Sequence, residues 1–184
     1  MKNILNYLVL LVLSFIMISC DPNGVDPQKT FEVCGLSLNR IPFKFKQHFN
    51  EIRGQLKNGS LSYVAMDNTS RKGISAAEYV EKMYGEMLLK EDIENIKNLT
   101  VDEETKPIQE ATLEVFNYTQ QVYKTDMLRI AKMIDEGKPD TEIDAAIEEL
   151  QNTKGKIIDE KFNKAHDLAF SYADKHGIEY KILD

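Results

Sequence analysis

The chain has 184 residues, enough for one domain with an apolar core and too few for two comfortable ones. Its 23 Lys and Arg against 30 Asp and Glu give a formal charge of −7. Such an acidic body argues against nucleic-acid binding and against adhesion to anionic lipid through a basic face.

Met1-Lys2-Asn3 makes a short positive start, and Leu8 to Ile18 is apolar apart from Ser14, the charge-then-hydrophobe order of a secretory signal. Even counted from Ile4 the apolar stretch has fifteen residues, and a bilayer requires about twenty. No run of Lys or Arg follows to stop transfer. The segment ends in Met17-Ile18-Ser19-Cys20, and these four residues resemble the lipobox of bacterial lipoproteins, with Met17 standing where Leu is commonest. The resemblance covers about the first twenty residues and is silent on the fold downstream. It implies a signal peptide over 1–19, cleavage before Cys20, a diacylglycerol on the Cys20 thiol and acylation of the new amino group. Two or more acyl chains anchor stably where one does not. The implied location is the cell envelope, with the domain held at the inner or outer membrane through the lipid on Cys20. Asp21 follows directly; in enteric bacteria an aspartate there resembles an inner-membrane retention signal, while other lineages use acidic residues for export, so the leaflet stays open.

An alternative reading is a plain secreted protein cut near Ser19 or Cys20. Asn58, Asn68, Asn98 and Asn117 each begin an acceptor triplet for glycosylation, and Cys20 could then bridge to Cys34. With Cys20 acylated, Cys34 has no partner within the chain and reads as a small buried apolar residue.

Residues 20–30, with Asp21-Pro22-Asn23-Gly24 and Asp26-Pro27, are polar and turn-rich and read as a flexible tether. Their acidic residues lack the ligand alternation of a calcium loop. The single domain expected over 31–184 is all-α, a helical bundle built on a long antiparallel hairpin with minor extended segments. Phe31 to Arg40 carries no clear period. Phe45, Phe49, Ile52 and Leu56 recur at helical spacing and predict a helix over 42–57, with Pro42 in its first turn. Leu61 to Met66 reads as extended and Asn68 to Gly73 as a loop. A capping box at Ser75–Glu78 opens a helical region over 75–98, either one bent helix or two. A second box is read at Thr100–Glu103.

The strongest pattern runs over 107–136, where Ile108, Ala111, Val115, Tyr118 and Val122 form one stripe and Phe116, Tyr123, Met127, Ile130 and Ile134 another beside it. A further helix over 140–176, capped by Asp140 or Thr141, carries Ile143, Ile147, Leu150, Ile157, Phe162, Ala165, Ala169 and Tyr172. The short Gly137-Lys138-Pro139 turn forces the two long helices antiparallel. Ile178 to Ile182 alternates and reads as an edge strand or extended tail.

Chemistry is sparse. His166 and His176 lie ten residues apart, nearly three turns along one helix, and cannot share an ion directly. With Asp167 they are weak metal candidates only, and no metal or cofactor is expected. Glu78–Lys82 and Glu160–Lys164 read as surface ion pairs. No nucleophile elbow and no phosphate-binding glycine loop is present in the sequence. Tyr84, Tyr118, Tyr123 and Tyr172 fall on or beside helical stripes; core packing is the simpler role, and a groove lined by them is a candidate binding surface. The functional expectation is a lipid-anchored envelope protein acting non-catalytically as a binding or assembly module with a protein partner. The rivals are an envelope hydrolase or metal-binding protein using His166 and His176, and a self-associating coiled-coil protein.

Overall fold

The computed structural model describes residues 24–41 and 44–181. The signal segment, Cys20, Pro42 and the end of the tail at Ile182 lie outside these residues.

Asp26 accepts a hydrogen bond from the Lys29 amide at 3.1 Å, and Pro27 occupies the first helical turn. Asp-Pro is therefore a helix start here and not a turn, because a capping carboxylate followed by a preset φ nucleates the first turn. The helix α1 (27–40) is α-helical over Pro27–Thr30, π-helical over Phe31–Gly35 and 3-10 over Leu36–Arg40. The expected tether thus stops short: Val25 and Thr30 are buried, and the domain begins near residue 25.

Helix α2 (Phe45–Lys57) buries Phe45, Phe49 and Ile52, as the spacing predicts. A two-stranded antiparallel hairpin, β1 (Ser62–Val64) and β2 (Ser70–Lys72), follows, so the predicted loop at 68–73 contains a strand. Helix α3 (76–87) starts after Ser75, whose hydroxyl accepts from the Glu78 amide at 3.1 Å. The chain breaks at Leu88–Leu89, and α4 (Lys90–Lys97) is a separate helix. The cap before the next helix is Asp102: its Oδ1 accepts from the amides of Glu104 and Thr105, and the Thr105 hydroxyl accepts from the Asp102 amide. The shorter Asx turn displaces the Thr100–Glu103 box.

The long hairpin is α5 (106–135) against α6 (140–175), turning at Gly137 with φ 68°. At about 1.5 Å per residue these are rods of roughly 45 and 54 Å. The first half of each packs on the second half of the other. Each contains one π-helical turn, Tyr123–Met127 in α5 and Gln151–Gly155 in α6. An extra residue per turn rotates the buried face by about 100°. This accounts for most of the two stripes of α5: Ile108, Ala111, Val115 and Val122 are buried before the π turn and Tyr123, Met127 and Ile130 through and after it, while Phe116 of the second stripe is already buried beside Val115 on a wide face. It also moves the inward position in α6 from the expected Ile157 to Ile158. Asp140 sits in the first turn of α6 without capping it, and the amides of Glu142 and Ile143 bond to the Pro139 carbonyl instead.

Helix α1 lies on α6. Phe31 is edge-on to Phe170, ring centres 5.1 Å apart, and Tyr180 packs against both rings. Tyr180 also donates to Asp174 at 2.9 Å, so the tail to residue 181 is docked coil and not a strand. Burying a ring such as Phe31 contributes about 1.5–3 kcal/mol. The apolar faces of α5 and α6 are covered by this chain's own helices, giving one continuous core.

Candidate functional site

The four tyrosines are spread along the bundle. Tyr84 and Tyr123 meet edge to face with centres 5.3 Å apart, where the π turns of α3 and α5 touch, and both are buried. Burial pushes both phenols above their ordinary range. Tyr118 is half-buried, with the Lys161 ammonium 5.5 Å from its ring centre. Tyr172 is buried beside His176, ring centres 4.3 Å apart. They do not form the common groove that the sequence suggested: Tyr84 and Tyr123 are buried together at the π turns, and Tyr172 lies by His176 and Glu104, just before the start of α5.

The histidines are equally separate. His166 stacks on the same helix between Phe162 and Phe170, centres 6.0 and 4.0 Å away, with Asp167 Oδ1 3.6 Å from its Nδ1. His176 Nε2 lies 3.3 Å from Glu104, a carboxylate that also takes Lys175 at 2.6 Å. Among the described residues no group of three or more His, Cys, Asp or Glu is placed to hold a metal ion. Lys82 pairs with Glu86 at 2.7 Å and Lys164 with Glu114 at 3.7 Å, in place of the partners Glu78 and Glu160 expected for them. Glu114 also takes Lys161. Cys34 is fully buried, and burial pushes its thiol up to about 11 against a hydrogen bond with Thr112, which favours the protonated, packed form.

The polar side chains that do converge are ones that sequence reasoning passed over. α1 and α4 enclose a crevice of about 280 Å³ lined by Glu32, Val33, Leu36, Ser37, Arg40, Asp92 and Asn95. The i,i+3 spacing puts Ser37 with Arg40 on one wall and Asp92 with Asn95 on the other. Asp92 is 4% exposed and its Oδ1 is 3.1 Å from the Arg40 guanidinium. Burial raises its carboxyl above the ordinary range, only partly offset by Arg40. The sequence carries a faint signal for it: Asp92 falls four residues before Ile96 and three after Leu89, on the apolar stripe of α4 where a carboxylate has no packing role. A larger and more open groove of about 690 Å³ runs beside α2, lined by Lys44, Lys46, Gln47, Asn50, Glu51, Gln151 and Asp159.

No family model matches the chain, and no curated protein or solved structure matches it either.

Proposed function

We propose that this is a lipid-anchored cell-envelope protein whose helical domain serves as a non-catalytic binding or assembly module with a partner in the envelope. The observation that carries the reading is the register of Lys2, the apolar run to Ile18 and Met17-Ile18-Ser19-Cys20. Two structural facts are consistent with it. Among the described residues no helix is long and apolar enough to cross a membrane, so attachment there would need another device. Val25 is buried in the domain five residues beyond Cys20, a reach of roughly 18 Å at full extension. A lipid on Cys20 would therefore hold the start of α1 against the bilayer surface and not far above it.

The test is Cys20→Ala with metabolic palmitate labelling. The expected result is a full-length, unlabelled precursor; normal cleavage and labelling in that variant would overturn the proposal.

A further inference from the structure

The crevice between α1 and α4 contains two buried polar side-chain atoms, Ser37 Oγ and Asp92 Oδ2, that meet no hydrogen-bond partner. The Asp92 side chain is only 5% exposed, and Arg40 engages its other oxygen. Leaving a buried carboxylate oxygen unpaired is costly, more so than an unmade amide bond, because the one ion pair with Arg40 offsets the desolvation only in part. Asp92 Oδ2 can only accept while ionised, Ser37 Oγ can accept as well as donate, and two carboxylates, Glu32 and Asp92, line the crevice against one guanidinium, Arg40. An anion would be repelled. Val33 and Leu36 supply an apolar wall, and Leu36 is 41% exposed, one of three large apolar side chains left so open among the described residues.

We propose that this crevice binds a small primary ammonium compound, whose N–H groups donate to Asp92 Oδ2, Ser37 Oγ and the Asn95 amide oxygen while its aliphatic part lies on Val33 and Leu36. Arg40 remains on Asp92 Oδ1 and fixes the carboxylate's orientation. The side chain that must shift to admit the ligand, Leu36, is 41% exposed. A volume near the lower end for small-molecule sites limits the ligand to a few heavy atoms. This deepens the reading as a binding module and rests on it for the absence of turnover; it does not depend on lipidation, which palmitate labelling reads separately.

The test uses the full chain in the form cells make, with Tm measured against increasing butylammonium chloride. Tetramethylammonium chloride and sodium chloride at equal ionic strength are the controls. A ligand that binds the native state alone raises Tm saturably. The expected result is such a rise with butylammonium only, abolished in Asp92→Asn and weakened about tenfold in apparent affinity in Ser37→Ala. Absence of a saturable rise, an equal rise with tetramethylammonium, or wild-type affinity in either variant overturns the proposal. If Asp92→Asn does not fold, Ser37→Ala decides.

Discussion

His48 Nδ1 and the Tyr84 hydroxyl lie 3.0 Å apart, joining α2 to α3 by a side-chain hydrogen bond, with ring centres 5.5 Å apart. Tyr84 in turn packs edge-on to Tyr79 and Tyr123, so the imidazole meets the middle ring of a cluster of three phenols. The other imidazole nitrogen, Nε2, is buried without a partner.

That arrangement makes the fold sensitive to mild acid. Burial lowers the His48 proton affinity below its ordinary 6.5, and the nearby Glu51 carboxylate only partly offsets this. The unfolded chain then binds more protons than the folded one in the window just below pH 6.5. Stability is unaffected by this group above 6.5 and falls as pH drops through the lower folded value. Chemical denaturation of wild type and His48→Gln between pH 7.5 and 5 checks it: the wild type should lose more stability on acidification than the variant. Equal slopes would contradict the account.

Asp135, at the end of α5, holds the start of α3 through hydrogen bonds from the Ala76 amide to Oδ1 and the Ala77 amide to Oδ2, both 2.8 Å. A carboxylate on two free helix-start amides acts as a cap supplied from a distant segment. Asp135→Ala should cost about 1–2 kcal/mol in urea denaturation. Asp135→Asn should recover part of that, since its single carbonyl oxygen can still accept.

Gly35 lets α1 approach α6 closely. A Cβ there would stand 2.8 Å from the Phe31 ring and 3.3 Å from the Ala169 methyl. Phe31 is held between Phe170 and Tyr180 and cannot swing aside. Gly35→Ala should destabilise by about 1–3 kcal/mol despite the better helix propensity of alanine. A gain in stability would show that α1 is less tightly seated than its contacts indicate.

The helical hairpin was legible because thirty-residue apolar periods and a three-residue turn admit few alternatives. The π turns were not. The paired stripes of α5 are their trace, but a second stripe also fits a wide face meeting two partners, and only the observed switch at Tyr123 separates the two readings. α1 was missed because Phe31, Cys34 and Leu38 keep helical spacing but Val33 and Leu36, apolar residues off the buried face, blur the stripe, and Asp26-Pro27 reads as a turn. Asp26 and Asp102 cap where the sequence reads as a tether and a Thr100–Glu103 box, while Ser75 caps α3 as expected, and the added cap from Asp135 to residues nearly sixty positions earlier leaves no local pattern. The crevice leaves only the faint trace of Asp92 on an apolar stripe, because Ser37 and Asp92 are brought together by packing between two helices far apart in sequence.

The central claim, attachment through Cys20, is tested most directly by the intact mass of the protein extracted from membranes. The account predicts the mass of residues 20–184 plus a diacylglyceryl group and an amide-linked acyl chain. The unmodified mass of the whole chain, or of a cleaved chain without lipid, would contradict it and reopen the pairing of Cys20 with Cys34.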